Sequence, residues 1–133
     1  MPTMSILLLS LLLQGITIPK NNPNGTWQSV SGTQFQLRLS GSQLTVRLVP
    51  GSNPRYVQYE VNLKNDEKEA NTYAGKGFFV AKQENKECRF ETEWDFVVVS
   101  EDRILGRSTD ITPDWNTCTV KQTGSAELDL KKK

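Results

Sequence analysis

The sequence predicts an all-β domain, a single antiparallel meander of about eight strands that forms a small barrel, with a β-sandwich as the alternative. In Lys86–Ser100 apolar and polar residues alternate with a period of two, as in a strand with one buried and one exposed face. Strands as long as this one usually bend within a curled sheet or barrel. Turn signals separate several further alternating runs, and no segment has a convincing helical pattern.

The N-terminal region predicts a secretory signal peptide over residues 1–17. The apolar run Ile6–Leu13 is too short to span a bilayer, and Gly15–Thr17 is a small-x-small cleavage site. No Lys or Arg precedes the run, so a misassigned start codon and a buried first strand remain alternatives. Residues 18–24 are rich in Pro and Asn and predict a linker. We therefore expect a barrel domain over residues 25–133 in a secreted or periplasmic protein.

The first strand is expected to begin at Trp27, and the next two strands form a predicted hairpin. The runs Phe35–Leu39 and Leu44–Leu48 alternate apolar and polar residues, and Gly41-Ser42 lies between them. Glycine suits the first central position of a type II′ turn, which joins strands through a two-residue loop. The resulting register places three apolar pairs on one face: Leu39 with Leu44, Leu37 with Val46, and Phe35 with Leu48.

The next two strands are predicted over Arg55–Lys64 and Thr72–Lys82. The second of these is expected to pair with the long strand described above, around a turn at Glu84-Asn85. That register opposes Gly75 to Trp94, so the glycine would leave space for the indole and allow the sheet to bend. Four residues of the first strand are expected to face inward: Val57, Tyr59, Val61 and Leu63.

The C-terminal part of the chain predicts a strand over Arg103–Thr109, followed by a loop over Asp110–Asn116. Residues that favour turns, Pro and Asn among them, indicate the loop. Two short strands are predicted after it, over Thr117–Gln122 and Ala126–Leu130. With the earlier runs this gives eight or nine strands.

Cys88 and Cys118 are the only cysteines, and an even number of cysteines in an exported chain predicts a disulfide between them. Two buried free thiols are the alternative. The bridge would close a loop of about 30 residues and stabilise the fold by about 3–4 kcal/mol.

The composition narrows the classes of function. The chain of 133 residues fits one domain. Its net charge of +1 gives no strong electrostatic field, so we expect no nucleic-acid partner. Because the apolar run near the N-terminus is too short to span a bilayer, we also expect no integral membrane span. Histidine is absent, which removes the commonest general base and most zinc sites. Glu91, Glu93 and Asp95 are candidate catalytic carboxylates, but their place on the polar face of the long strand predicts exposure to solvent. We expect no enzyme activity, no metal and no cofactor.

The tripeptide Gly25-Thr26-Trp27, followed by a meander of antiparallel strands, resembles the signature of the calycin barrels, which include lipocalins and avidins. The resemblance implies a barrel that the tryptophan closes at one end. In lipocalins a basic residue from a late strand lies across that tryptophan. The resemblance implies that Arg103 or Lys121 takes this place here.

We expect a non-enzymatic barrel that binds a small, partly apolar ligand. The candidate ligand-binding residues are aromatic: Phe35, Tyr59, Phe79, Trp94 and Trp115. The first four are expected to face the interior, although Trp94 alternatively belongs to the core. Trp115 lies in the predicted loop, where it is either exposed or covers the end of the barrel. The alternative function is a surface-interaction or carbohydrate-binding β-sandwich module, which would need exposed aromatic rings instead of an interior cavity.

Overall fold

Residues 20–133 are described by a computed structural model, and they contain no helix that could cross a membrane. Each strand pairs antiparallel with the next along the chain, and the first pairs with the last, so one sheet closes into a barrel. The predicted fold class, an all-β meander of eight strands, is confirmed. The strands are β1 (Gly25–Ser29), β2 (Gln34–Ser40), β3 (Gln43–Leu48), β4 (Tyr56–Asn65), β5 (Thr72–Gln83), β6 (Lys86–Ser100), β7 (Arg103–Asp114) and β8 (Thr119–Lys132).

One end of the barrel is closed by the segment that precedes β1. Pro23 is fully buried, and its carbonyl oxygen accepts a hydrogen bond of 2.9 Å from the indole nitrogen of Trp27. The Asn21 side chain donates to the carbonyl oxygen of Val98 on β6, and the Asn21 backbone N–H donates to the side chain of Asn71. Residues 20–24 contain no strand, as a linker would, but they pack across the barrel. The predicted signal peptide, residues 1–17, lies outside the described residues.

Both predicted hairpin registers are confirmed. β2 and β3 pair with Leu39 opposite Leu44, and the remaining pairs follow in the predicted order. In the turn Gly41 has a φ of +63° while Ser42 has no positive φ, which is the pattern of a type II′ turn. β5 and β6 also have the predicted register, with Gly75 opposite Trp94.

A β-bulge in β4 reverses one predicted orientation. The register with β5 shifts between Tyr56 and Gln58, so Val57 points outward and is 46% exposed. The expectation that Val57 faces inward is therefore wrong. Tyr56 takes its place and packs against the rings of Tyr59 and Phe79.

The close approach of β4 and β5 explains the glycines of β5. A Cβ atom at Gly75 would overlap the carbonyl oxygen of Asn62 and lie 2.8 Å from the Cα atom of Leu63. Gly77 meets the main chain of β4 in the same way. The atoms that limit the space at Gly75 therefore belong to the β4 main chain, and the indole of Trp94 is not among the nearest.

Closure of the barrel is uneven. β1 and β8 share only three residue pairs, and the pairing of β6 with β7 ends at Trp94 and Ser108. Beyond Ser108 the register of β7 continues with β8 alone. We call residues 109–124 of this hairpin the β7–β8 arm.

The β7–β8 arm replaces the predicted loop over Asp110–Asn116. β7 continues as a strand to Asp114, and the two predicted C-terminal strands are one strand, β8. The prediction of a loop is wrong for Asp110–Asp114, where the strand continues through Pro113, whereas Trp115 and Asn116 do lie in a turn. Pro113 lies at a register shift in an edge segment that β6 does not pair with, and proline is tolerated at such positions.

A disulfide between Cys88 and Cys118 joins the tip of the β7–β8 arm to the start of β6, as predicted. The Cα atoms of the two cysteines are 5.2 Å apart. The Lys86 ammonium also donates to the carbonyl oxygen of Asn116 at 3.2 Å. The arm is thus held against β6 at its tip, although the two strands do not pair between Trp94 and this point.

Candidate ligand site at the open end of the barrel

Three of the predicted ligand-binding residues form a tightly packed group inside the barrel. The Phe35 ring contacts Tyr59 and Trp94 edge-on, with centroid distances of 5.3 and 5.2 Å. The Trp94 indole N–H donates to the Tyr59 hydroxyl at 3.2 Å, and Trp94 is only 2% exposed. Phe35 and Trp94 are therefore core residues in this structure.

A second group of rings continues from Tyr59 to the open end, where β4 begins and β5 ends. Tyr59 and Phe79 are stacked with centroids 5.1 Å apart, and Tyr56 meets both of them edge-on. Phe79 lies 5.7 Å from Phe90 on β6, and Phe90 meets Trp115 edge-on at 6.2 Å. Trp115 belongs to the turn of the β7–β8 hairpin and is partly buried. It is a cap over the barrel end and not a freely exposed ring.

A cavity of about 230 Å³ lies among these rings, and we call it the mouth cavity. Five aromatic side chains from β4, β5, β6 and the turn between β7 and β8 line it: Tyr56, Tyr59, Phe79, Phe90 and Trp115. Three charged residues also line it: Arg55, Lys82 and Asp110. Ser108 and Thr109 line it as well, so the cavity has a mixed lining in which aromatic rings lie beside hydroxyl groups and charged groups of both signs.

The structure divides the five predicted ligand-binding residues into two sets. Tyr59, Phe79 and Trp115 line the mouth cavity, whereas Phe35 and Trp94 do not. Sequence reasoning omitted Phe90, although the predicted register already placed it opposite Phe79 on the inner face. The signal for Phe90 was therefore present in the alternating pattern of β6.

A second opening lies on the side of the barrel, between β6 and the β7–β8 arm. This cavity measures about 560 Å³ and shares Phe90, Thr109 and Ile111 with the mouth cavity. The Glu93 backbone N–H donates to the Thr109 hydroxyl at 2.9 Å, so a side chain continues the contact where backbone pairing has ended. The mouth cavity is thus bordered by a gap in the sheet.

Two hydroxyl groups near the site are buried. Burial raises the pKa of Tyr59 to about 12, and interactions with Trp94 and Thr92 oppose this only in part. Tyr59 is therefore a neutral phenol at physiological pH. The Thr92 hydroxyl lies near it but has no hydrogen-bond partner of good geometry among the described residues.

The acidic residues of β6 do not line the mouth cavity, although Glu91 and Glu93 line the second opening beside it. Glu91, Glu93 and Asp95 are exposed on the outer face, as predicted. Glu93 forms a solvent-exposed ion pair of 3.8 Å with Lys76. Within residues 20–133, no group of three or more potential His, Cys, Asp or Glu ligands could hold a metal ion.

At the closed end, a basic side chain lies over the tryptophan, but it is neither of the two expected. The Lys132 ammonium is 5.7 Å from the centroid of the Trp27 ring. Arg103 instead forms an ion pair of 2.9 Å with Asp129 on the neighbouring strand, and Lys121 is exposed.

Comparisons with known proteins do not identify a family or a function for this chain. No protein-family model matches the chain, and no curated protein or solved structure has significant similarity to it. The resemblance to calycins accordingly stays a prediction.

Proposed function

We propose that this protein is a secreted, non-enzymatic, calycin-like barrel that binds one small, largely apolar ring compound in the mouth cavity. The observation that carries the proposal is the cavity of about 230 Å³ with five aromatic rings in its walls. Small-molecule sites are usually concave and combine aromatic or other apolar side chains with a few polar groups that orient the ligand.

The size of the cavity limits the ligand. Sites for drug-sized ligands measure about 300–1,000 Å³, so a cavity of about 230 Å³ is too small for most of them. An apolar cavity of about 150 Å³ is already large enough for benzene. A molecule with one ring and a short substituent therefore fits these limits.

The surface favours this function over an interaction module that uses exposed aromatic rings. All large hydrophobic side chains that are strongly exposed in the described part of the chain are aliphatic, with no aromatic ring among them: Val30, Val57, Val97, Val99, Leu105 and Val120. The largest aromatic cluster instead leads into the mouth cavity. A flat aromatic platform for sugars or proteins is therefore less well supported.

Two features support the non-enzymatic and secreted parts of the proposal. Glu91, Glu93 and Asp95 do not line the mouth cavity, whose lining has a single carboxylate, Asp110, so the paired carboxylates of a glycosidase are absent from that lining. The Cys88–Cys118 disulfide suits an oxidising compartment, because cytosolic disulfides are rare.

Titration of the isotope-labelled full chain with 4-methylbenzamide, a neutral one-ring compound, tests the proposal. We expect saturable NMR shifts at the indole N–H of Trp115 and little change at Trp27, which lies at the other end. Trp115→Ala should weaken binding at least about fivefold, because it removes one aromatic wall. The control Val99→Ala changes an exposed side chain outside the cavity and should bind as the wild type does. Absence of saturable shifts, or equal affinity of the Trp115 variant, would overturn the proposal.

A further inference from the structure

We infer that the ligand of the mouth cavity is an aryl carboxylate, whose ring enters the cavity and whose carboxylate is held by Arg55 and Lys82. This inference rests on the proposed function and adds the charge and chemical class of the ligand. It is carried by the charged residues of the cavity lining.

Arg55 and Lys82 are neighbours on one side of the mouth cavity. The Lys82 backbone N–H donates to the Arg55 carbonyl oxygen at 2.8 Å, which fixes the end of β5 beside the residue that precedes β4. Both residues line the cavity, and both are exposed. They thus bring two positive charges to the edge of an aromatic site.

Neither side chain takes part in an ion pair within the described part of the chain. The ion pairs there use other basic residues, namely Arg47, Lys76 and Arg103. The side chains of Arg55 and Lys82 form no ion pair or hydrogen bond among residues 20–133. An anion at this edge would therefore not have to displace a protein carboxylate.

Asp110 sets the preferred charge of the ligand. It contributes one negative charge from β7, so the formal charge of the lining is 2 − 1 = +1. A monoanion balances this charge, whereas a dianion such as a phosphate monoester would leave an excess. A carboxylate also matches the planar guanidinium of Arg55, which can donate two parallel hydrogen bonds.

The position of these charges agrees with the shape of an aryl carboxylate. Such a molecule has an apolar ring and one charged end, and the mouth cavity has buried rings with charged residues exposed to water. Because the charges are exposed, salt screens them and the gain in affinity is moderate. The carboxylate would therefore select the ligand, while the rings supply most of the contact area.

Comparison of 4-methylbenzoate with 4-methylbenzamide tests the inference, since the two have similar shape and differ in charge. At low ionic strength we expect the carboxylate to bind about three- to tenfold more tightly than the amide. Added NaCl should reduce this preference. Calorimetry or NMR titration of the full chain measures both affinities.

Charge variants locate the effect. Arg55→Gln and Lys82→Gln should each lower the affinity for 4-methylbenzoate more than that for 4-methylbenzamide, whereas Asp110→Asn should raise the affinity for the carboxylate. Lys64→Gln is the matched control, because it removes an exposed positive charge at the other end of β4.

The possible failures are distinguishable. If both compounds bind with equal affinity and the charge variants have no effect, the cavity is a ligand site but the inferred carboxylate class is wrong. If neither compound binds, the proposed function fails and the inference fails with it. If the control variant weakens carboxylate binding as much as Arg55→Gln does, general attraction by surface charge replaces the specific site.

Discussion

Replacement of Gly75 by alanine tests how closely β4 and β5 approach each other. The added methyl group would overlap the carbonyl oxygen of Asn62 and lie 2.8 Å from the Cα atom of Leu63. Both atoms belong to the main chain, so no side-chain rotation can relieve the overlap and the strands must move apart. Overpacking costs about 1–3 kcal/mol, and we expect Gly75→Ala to lie near the upper limit of this range.

Gly124→Ala is the matched control in β8. Its added Cβ atom would have only the carbonyl oxygen of Asp110 within contact distance, at 3.9 Å, and the residue has no positive φ. Because alanine restricts the unfolded chain, this variant should be neutral or more stable by about 0.4–1 kcal/mol. Urea unfolding followed by tryptophan fluorescence gives both free energies of unfolding.

Equal free energies of unfolding for the two glycine variants would refute the argument. A further comparison separates the β4 main chain from the indole of Trp94 as the obstacle. If the indole were the obstacle, Gly75→Ala would be less harmful in a Trp94→Phe background, because the smaller ring leaves space. Overlap with the main chain predicts the same cost in both backgrounds.

Three further predictions concern the interior and the cross-link. Thr92→Val should leave stability unchanged or raise it by about 1 kcal/mol in urea unfolding, since it replaces a buried hydroxyl without a well-placed partner; a clear loss would contradict this. The pKa of Tyr59 is raised to about 12, so its contribution to stability is complete below pH 10 and falls by about 2–3 kcal/mol between pH 10 and 12; Tyr59→Phe should reduce this fall in alkaline unfolding curves. Replacement of Cys88 and Cys118 by serine should lower the free energy of unfolding by about 3–4 kcal/mol, and an unchanged Tm would show that the arm holds its place without the cross-link.

Strand pairing could be predicted wherever the alternating pattern and the turn chemistry agreed. In β2 and β3, Gly41 fixes the turn and the apolar residues fix the face, so only one register satisfies both. β6 begins at Lys86 and ends at Ser100, as its pattern indicated. Local sequence was sufficient in these hairpins because the turn residues and the alternating pattern are adjacent along the chain and together determine the register of the two strands.

The incorrect predictions concern segments whose sequence is compatible with two local structures, so that tertiary contacts decide between them. Tyr56 and Val57 are both apolar, and the bulge that turns Tyr56 inward has no signal of its own in an alternating pattern. Pro113 favours a loop in most contexts, but an edge segment tolerates it within a strand. Neither outcome follows from the adjacent residues alone.

The candidate site could be predicted only in part for a related reason. The period of two identified Phe35, Tyr59, Phe79 and Trp94 as inward-facing residues, and all four are buried. A period of two carries no information on the position of a residue along the barrel axis. It therefore could not distinguish Tyr59 and Phe79, which line the mouth cavity, from Phe35 and Trp94, which pack in the core. Arg55, Lys82 and Asp110 could not be predicted as a group, because they line one cavity only after three segments that are distant along the chain have come together.

The disulfide connects the stability of the fold to the shape of the site. Beyond Ser108 the β7–β8 arm is not paired with β6, and the edge-on contact of Trp115 with Phe90 is worth only about 0.5–1.5 kcal/mol beyond its buried area. The larger constraint on the arm is therefore the covalent bond through Cys118. Since Trp115 stands three residues before this cysteine, the bond that stabilises the barrel also holds one wall of the mouth cavity in position.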